Sequence, residues 1–369
     1  MPNLPFAILS LSVENYQGIA QATIEDLPPD ARWIFLTGRN GYGKTSVLQA
    51  IVIGLYGRRA IRTYTIPTSA RISIGFLDNN APKTRKQDSS AKPFKHIVTY
   101  GASRLQLQAE EAQEDVGRRS TAIYGLFHVD GLMLNIEREL VLWNLEGNER
   151  FAAVKNLFLS LIPDLSDIDI EGRKVKYIEK DHGNENYSAV SFEQLASGFR
   201  NIIGFIGDML VKFYRIQTAV VNPSDFKGIV IIDELDLHLH PSMQSLLVEK
   251  LTTAFPYIQF IVSTHSAIPF LGIPQGVKAV FLRVDRTKAE GIKIKGVNID
   301  LPNMTPNLIL SSPLLGFTDI IPNSNTNSNE LRTEDTYQQL LREQEIDKML
   351  QHYAAHNDLD QLFNPPTTP

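Results

Sequence analysis

The apolar residues of the chain fall into short continuous runs that alternate with helical patterns. Three runs, at residues 33–37, 228–232 and 258–263, have the length and composition of parallel strands buried on both faces. The apolar segment 46–56 follows the first run and predicts a buried helix. The second and third runs end about 30 residues apart, which is the length of a strand-helix-strand unit. The pattern predicts an α/β fold with a mixed or parallel central sheet.

Other parts of the chain carry weaker patterns. Residues 149–165 have apolar positions at helical spacing, and we expect them to form a helix of the core. Residues 173–181 alternate in polarity and predict a strand with one solvated face. Residues 78–96 are polar and rich in lysine, which favours a solvated loop, with a basic contact to DNA phosphates as the alternative.

The end of the sequence differs in composition from the rest. Residues 323–329 consist of asparagine, serine and threonine and predict a linker. Residues 330–369 predict a helical tail, whose apolar positions recur at spacings of three and four residues. This helix either folds back on its own domain or docks onto a partner. We therefore divide the chain into a main domain at 1–322, the linker and the tail.

The composition excludes several classes of protein. With 369 residues, 43% hydrophobic residues and 21% charged residues, the chain suits a globular protein with a substantial core. It has no cysteines, which excludes disulfides, thiolate nucleophiles and cysteine zinc sites. There is neither an apolar run of about 18 residues nor a signal peptide pattern, so we expect a cytoplasmic protein with no membrane partner. The formal charge of -5 argues against a surface covered by nucleic acid, although it leaves room for a local basic patch.

A glycine-rich loop lies between the first apolar run and the first predicted helix. Gly38, Gly43, Lys44 and Thr45 satisfy the pattern G-x-x-x-x-G-K-[ST] of a phosphate-binding loop. Glycines allow the tight turn that points successive N–H groups at phosphates, at the positive end of the following helix. We expect Lys44 to reach the β- and γ-phosphates of ATP and Thr45 to bind Mg²⁺. The expected nucleotide-binding residues of this loop are Gly38, Asn40, Gly41, Gly43, Lys44, Thr45 and Ser46.

Acidic and histidine side chains follow the other two apolar runs. Asp233 and Glu234 come directly after the second run, at the end of the strand where open α/β sheets bind ligands. Asp233 suits a Mg²⁺ partner, and Glu234 suits a catalytic base that polarises the attacking water. His265 follows the third run and is either a core side chain or a hydrogen-bonding group for the γ-phosphate.

The segment between these motifs contains a serine-glycine pair. Residues 195–199 read LASGF, and we expect a helix to begin at Ser197 and Gly198. The hydroxyl and the free N–H groups of a helix start can hold a γ-phosphate, although such a serine is often only a helix cap. LASGF resembles the LSGGQ-type signature of the ABC ATPases. In that family the signature serves the nucleotide of a second subunit, so the resemblance implies an oligomer.

The order of the motifs narrows the class of protein. With the segments 8–19, 38–51, 233–241 and 263–266, the chain resembles the RecF/SMC-related ABC ATPases. It is similar in particular to the group that includes the ATPase halves of OLD-family nucleases and of anti-phage systems such as Septu and PARIS. The resemblance implies a P-loop ABC-type fold with a helical signature subdomain, expected within 105–215. It also implies phosphate binding for Lys44, Mg²⁺ binding for Thr45 and Asp233, and contact with a second subunit's nucleotide for Ser197 and the adjacent Gly198. Glu234 would be the catalytic base and His265 a switch residue, and both would belong with Lys44 to the catalytic set.

The chain also departs from these relatives. No Q-loop glutamine is evident, and the segment 99–104 occupies its place, with Ser103 or Arg104 as candidate sensors of the γ-phosphate. His240 stands at the D-loop aspartate position of transporters, which argues against membrane transport. Between the phosphate loop and the signature, roughly 150 residues contain no sustained heptad repeat, so we expect no coiled-coil arms. The sequence after His265 lacks the acidic strand ends of a nuclease domain.

These observations predict an ATP-binding and ATP-hydrolysing subunit that uses Mg²⁺ and forms a homodimer or a higher even oligomer around the nucleotide. By resemblance, it controls a separate effector, such as a nuclease, in prokaryotic anti-phage defence. The alternative is a RecF-like repair ATPase that binds DNA directly. Affinity for DNA that depends on ATP and falls steeply with salt would favour the alternative. Co-purification with the product of a neighbouring gene would favour control of an effector.

Overall fold

The computed structural model of the chain describes residues 3–57, 64–89, 92–103, 119–181, 183–237, 239–287, 291–301, 304–315 and 337–355. The chain forms two compact units, Met1–Asn298 and Ile299–Pro369. Within the described ranges, no helix combines the length and the hydrophobicity that a bilayer crossing requires.

In the described residues, the strands are β1 (Phe6–Tyr16), β2 (Ile19–Ile24), β3 (Trp33–Thr37), β4 (Arg71–Asp78), β5 (Ala81–Lys86), β6 (Ile97–Tyr100), β7 (Leu165–Glu171), β8 (Lys174–Glu179), β9 (Lys227–Ile232), β10 (Tyr257–Ser263), β11 (Ala279–Thr287) and β12 (Gly291–Val297). The α-helices of the same residues are α1 (Lys44–Tyr56), α2 (Tyr124–Phe127), α3 (Ile136–Leu145), α4 (Glu149–Leu161), α5 (Ser197–Ile216), α6 (Pro241–Ala254), α7 (Ile268–Leu271), α8 (Pro306–Ser311) and α9 (Tyr337–Ala355). Short 3-10 turns lie at Phe192–Gln194 and Pro223–Asp225.

The largest sheet in the described part of the first unit has six strands, in the order β12-β11-β3-β10-β9-β6. Strands β11, β3, β10, β9 and β6 run parallel to one another, and β12 pairs with β11 in the antiparallel direction. The three apolar runs of the sequence form β3, β9 and β10, whose side chains are almost all buried. The sheet confirms the predicted α/β fold with a mixed, mostly parallel sheet.

The register of the parallel strands aligns the carboxyl ends that carry the motifs. Strand β10 lies between β3 and β9 and places Ser263 beside Leu36. Strand β6 places Tyr100 beside Ile232, the last residue of β9. Because the strands are parallel, the loops that follow β3, β6, β9 and β10 all leave from one edge of the sheet.

A second, antiparallel sheet of the first unit has the order β2-β1-β4-β5 and packs against α1. A Cβ atom at Gly54 of α1 would press on the Ile74 side chain of β4, so the glycine allows this close packing. Hydrophobic side chains of β1, β4, α1 and β9 form one continuous core. This core holds α1, and therefore the start of the helix at Lys44, against both sheets.

The structure corrects the loop prediction for residues 78–96. Residues 81–86 form strand β5, which pairs with β4 in a hairpin. Asn79 and Asn80 form the two-residue turn with φ values of 51° and 64°, and asparagine tolerates this left-handed conformation. The Asn-Asn pair was therefore a hairpin signal that the polarity of the segment obscured. Most side chains of β5 are exposed, as the sequence predicted for the segment.

A helical subdomain with a small two-stranded sheet precedes the strand β9. Asn135 and Asn148 cap α3 and α4 by accepting hydrogen bonds from N–H groups two residues further on. Helix α4 confirms the helix predicted within 149–165 and buries Val154, Phe158 and Leu161. Strand β8 confirms the alternating strand predicted within 173–181. Helix α5, which begins with the serine-glycine pair, packs against α3.

The second unit contains α8 and α9, which contact each other. Helix α9 confirms a helix in the predicted tail, and the side chains of residues 341–351 are exposed. The predicted linker at 323–329 lies outside the described residues. The first unit ends at Asn298, whereas we placed the end of the main domain at residue 322.

Candidate nucleotide-binding site

The glycine-rich loop connects β3 to α1 at the edge of the sheet that carries the motifs. Gly38 has a φ of 136°, and a Cβ atom there would overlap the carbonyl oxygen of Val284. Gly43 has a φ of 97°, and a Cβ atom there would overlap the side chain of Ile292. Both positions therefore require glycine for conformation, since L-residues rarely adopt positive φ, and Gly38 also requires it for space because its neighbour is backbone. The loop therefore encloses a space lined by backbone groups, which side chains at the glycine positions would fill.

Lys44 is the first residue of α1, and its side chain is turned into the loop. The Nζ atom donates hydrogen bonds to the carbonyl oxygens of Gly38, at 2.8 Å, and Arg39, at 3.2 Å. Burial lowers the pKa of Lys44, and the nearby carboxylates of Asp233 and Glu234 act in the opposite direction. The ammonium group thus lies inside the loop and faces the acidic strand end.

Thr45, Asp233 and Ser263 form a chain of short hydrogen bonds across three elements. The Thr45 hydroxyl donates to Oδ2 of Asp233 at 2.6 Å, and the Ser263 hydroxyl donates to Oδ1 of the same carboxylate at 2.5 Å. Hydroxyl and carboxylate oxygens are the ligands that Mg²⁺ prefers. The donor set that Thr45 and Asp233 bring together therefore fits the predicted Mg²⁺ site.

Glu234 has a backbone conformation that is unusual for a residue with a side chain. Its φ is 54°, in the left-handed region, where residues other than glycine are strained. Its N–H donates to the Ser263 hydroxyl at 2.8 Å, and the N–H of Leu235 donates to the Ser263 carbonyl oxygen, also at 2.8 Å. Strand β10 thus holds the strained turn at Glu234 that follows strand β9.

Sequence reasoning missed Ser263, although its hydroxyl contacts both acidic residues. Ser263 is fully buried at the end of β10. The available signal was a hydroxyl residue that ends a mostly apolar run, two positions before His265. Only the pairing of β10 with β9 shows that this hydroxyl lies beside the acid pair.

His265 lies half-buried after β10. Its backbone N–H donates to the carboxylate of Asp236 at 3.3 Å, and the Thr264 hydroxyl donates to the same carboxylate oxygen at 2.6 Å. Burial and then the positive charge of Lys44 lower the pKa of the His265 imidazole below its ordinary value of 6.5. The imidazole is therefore mostly neutral at pH 7 and can both donate and accept a hydrogen bond.

The serine-glycine pair lies at the first turn of α5, as the sequence predicted for a helix start. The residue before the helix is Ala196, which supplies no side-chain cap. Ser197 is exposed and Gly198 is half-buried. Because the first N–H groups of a helix have no partner within the helix, this end of α5 offers donors to an external anion.

The structure brings most of the predicted residues together. Hydrogen bonds join Thr45 and Ser263 to Asp233, and the Ser263 hydroxyl also accepts from the N–H of Glu234. The Lys44 ammonium group is bound in the loop and interacts electrostatically with both carboxylates. Asn40 lies exposed in the loop. The signature begins helix α5, whereas the hydrogen bonds that run from Asp233 through Tyr100 of β6 meet this helix at Asp208. Residues 197–208 of a helix span about 16 Å along its axis.

The phosphate loop and an acid pair held by a buried serine lie at one edge of a mostly parallel sheet, and an uncapped helix start carries the signature. This arrangement resembles that of P-loop ATPases of the ABC type. Residues 137–271 match the family described as "AAA domain, putative AbiEii toxin, Type IV TA system". Over 346 residues the chain is 30% identical to the Septu protein PtuA of Bacillus mycoides (strain KBAB4). That alignment covers 86% of this chain and 46% of PtuA.

Two further similarities concern a retron protein and a solved structure. Over 84 residues the chain is 42% identical to the "Retron Vc95 probable ATPase" of Vibrio cholerae serotype O1 biovar El Tor, which covers 23% of this chain and 16% of that protein. The SMC head domain from Thermotoga maritima has a TM-score of 0.45 and 14% identity, covering 79% of this chain and 99% of that chain. The chain spans less than half the length of both curated relatives. The Septu and retron matches confirm the predicted resemblance to ATPases of anti-phage defence systems.

Proposed function

We propose that the chain binds and hydrolyses ATP with Mg²⁺, dimerises around the nucleotide and controls a separate effector in anti-phage defence. The observation that carries the proposal is the convergence of Lys44, Thr45, Asp233 and Glu234 at one sheet edge, with Thr45 and Asp233 2.6 Å apart. The nucleotide-binding set is the one predicted from the sequence, and Ser263 is added as a residue that positions Asp233 and Glu234.

Each residue has a distinct task in this proposal. The loop N–H groups and Lys44 bind the β- and γ-phosphates. Thr45 and Asp233 would hold Mg²⁺, which would neutralise part of the phosphate charge. Glu234 orients the attacking water and accepts its proton while the new bond to the γ-phosphorus forms and the bond to the β,γ-bridging oxygen breaks. The neutral imidazole of His265 hydrogen-bonds the γ-phosphate.

The placement of the signature supports the proposed dimerisation. Ser197 and Gly198 begin an uncapped helix. An exposed helix start of this kind can hold the γ-phosphate of a nucleotide bound to another subunit. A symmetric pair of subunits would then contain two composite sites. We propose a homodimer, or a higher even oligomer built from such pairs.

The proposed role in defence rests on the relatives. A Septu protein and retron proteins are similar to this chain, and the similarity to the Septu protein extends over most of it. We propose a separate effector such as a nuclease because the acidic side chains of the site, Asp233 and Glu234, already have roles in Mg²⁺ binding and ATP hydrolysis. Direct DNA binding through β5 has less support. Lys83 pairs with Asp78 at 2.6 Å, and Arg85 donates to the carbonyl oxygen of Leu55, so two of the three cations of β5, which also includes Lys86, are already engaged.

The test is the substitution Glu234→Gln in the purified chain and in cells. ATP binding should remain, whereas hydrolysis should fall about 10² to 10⁴-fold, because the amide cannot accept the proton of water. Resistance to phage, measured by plating efficiency with the neighbouring genes present, should be lost in this variant and in Lys44→Ala. The control Glu249→Gln changes an exposed carboxylate of α6 and should alter neither property. Unchanged turnover in Glu234→Gln would remove Glu234 from catalysis. Affinity for DNA that depends on ATP and falls steeply with salt would favour the repair alternative.

A further inference from the structure

A buried ionic cluster connects the helical subdomain to the six-stranded sheet. Asp208 of α5 is fully buried and accepts three hydrogen bonds. The donors are the Tyr100 hydroxyl, the Leu134 backbone N–H and the Lys212 ammonium, each at 2.7 Å. The donors come from β6, from the segment before α3 and from α5 itself. Asp208 therefore joins three parts of the chain at one carboxylate.

Tyr100 is also tied to the candidate Mg²⁺ site. It is the last residue of β6, and its carbonyl oxygen accepts a hydrogen bond from the backbone N–H of Asp233 at 2.8 Å. A single residue thus touches Asp233 with its backbone and the signature helix α5 with its side chain. Tyr100 belongs to the segment that occupies the place of the missing Q-loop glutamine.

The cluster is suited to transmit small displacements. A hydrogen bond from a hydroxyl to a carboxylate is short and strong. The loss of that bond inside a protein leaves a buried charge without one of its donors. The Tyr100 ring packs edge-on against Phe205 of α5 with centroids 4.7 Å apart, and the Lys212 ammonium lies 5.2 Å from the Tyr100 ring centre. Packed, fully bonded groups of this kind move together rather than deform independently.

We propose that Tyr100 is a positioning residue that couples the Asp233 end of the sheet to the signature helix. The inference rests on the proposed function. When ATP and Mg²⁺ engage Asp233, Tyr100 and Asp208 set the position of α5, and α5 carries that position over about 16 Å to Ser197. Occupancy of a chain's own nucleotide site thereby decides whether its signature is placed to serve the nucleotide of a second subunit.

The experiment compares Tyr100→Phe with a matched control on α5. Phenylalanine keeps the ring that packs against Phe205 and removes the hydroxyl. Tyr214→Phe also removes a tyrosine hydroxyl and its hydrogen bond from α5. That hydroxyl, however, donates to the carbonyl oxygen of Val221 at 2.6 Å and not to a residue bonded to β6. ATP affinity and turnover are measured for the whole chain. Amide hydrogen exchange of residues 195–201 is measured with and without Mg-ATP in the Glu234→Gln background, so that the nucleotide persists.

We expect Tyr100→Phe to keep its ATP affinity within about twofold while kcat falls about tenfold or more, since the lost bond acts on positioning and not on nucleotide contact. The ATP-dependent change in exchange at 195–201 should also largely disappear. Tyr214→Phe should keep both the turnover and the exchange response.

Three results would overturn the inference. These are an unchanged exchange response in Tyr100→Phe, an equal loss in Tyr214→Phe, or no exchange response in the Glu234→Gln chain that keeps both tyrosines. Failure of the proposed function is distinguished by the wild-type chain itself, which in that case would neither bind nor hydrolyse ATP.

Discussion

Ser263 is the residue on which both acidic side chains of the candidate site depend. Its hydroxyl donates to Asp233 and accepts from the N–H of Glu234, which has a strained backbone. Removing that hydroxyl leaves a buried donor and a buried acceptor without their partner, and each such loss costs about 1 to 3 kcal/mol. The geometry of the turn at Glu234 should relax as a result.

We therefore expect Ser263→Ala to lower kcat for ATP about tenfold or more, with a smaller change in KM, and to lower the free energy of unfolding by about 1 to 3 kcal/mol. Steady-state ATP turnover and urea unfolding measure the two effects. Ser312→Ala is a matched control, because Ser312 is also fully buried, donates to Ile309 and accepts from Leu314. The control should lose stability but keep its kcat. Wild-type turnover in Ser263→Ala would show that Ser263 has no part in positioning Glu234.

At the scale of elements, helix α9 is the segment whose purpose is least explained by the ATPase fold. Leu341, Ile346, Met349 and Leu350 are all exposed on it, and they lie within one half of the helix circumference. Exposed apolar side chains grouped on one side of a helix are typical of a surface that docks in the groove of a partner. We proposed a separate effector, and α9 is our candidate for its docking element.

Deleting all residues after 322 should leave ATP turnover and thermal unfolding of the first unit nearly unchanged and should abolish capture of the effector in a pull-down from the native host. The paired substitution Leu341→Glu with Met349→Glu should have the same effect on capture without removing the helix. Gln344→Glu adds a charge on the opposite side of α9 and should preserve capture. Aggregation of the truncated chain, or loss of its unfolding transition, would mean that α9 stabilises the fold and would contradict the docking role.

For the whole molecule, the proposed dimer predicts a result that a monomeric ATPase could not give. Lys44→Ala inactivates the phosphate loops of a homodimer, and Ser197→Arg inactivates its signatures. In a mixed dimer of the two variants, one composite site carries both defects and the other is intact. With random pairing and independent sites, mixing the two inactive proteins should therefore restore roughly a quarter of wild-type ATP turnover.

Subunit exchange is verified with two different affinity tags, and each variant is measured alone as well as in the mixture. A chain that carries both substitutions, mixed with wild type, is the control, because its mixed dimer pairs the one intact phosphate loop with a defective signature. Half-active mixed dimers in this control would show that Ser197 does not act on the nucleotide of the other subunit. Background activity in the first mixture would mean that the two sites are strictly coupled or that they are not composite.

The sequence by itself determined the elements and motifs whose signals are local. The glycine spacing of the phosphate loop, the apolar runs of β3, β9 and β10, and the helical pattern of α4 each depend on residues that are close in the chain. Local conformation and side-chain polarity are encoded over such short distances. The hairpin of β4 and β5 was encoded in the same way by Asn79 and Asn80, although polarity alone suggested a loop.

Tertiary structure alone decided which of these elements are neighbours. The position of β10 between β3 and β9 brings Ser263 to the acid pair, and Thr45 meets Asp233 across a separation of 188 residues. The contact of Tyr100 with Asp208 spans 108 residues and depends on how the helical subdomain packs on β6. No local pattern encodes these contacts, because they arise from strand order and from the burial of surfaces formed by distant segments. The sequence therefore indicated the chemistry of each predicted site residue. The residues that position those side chains were identified only from the tertiary structure.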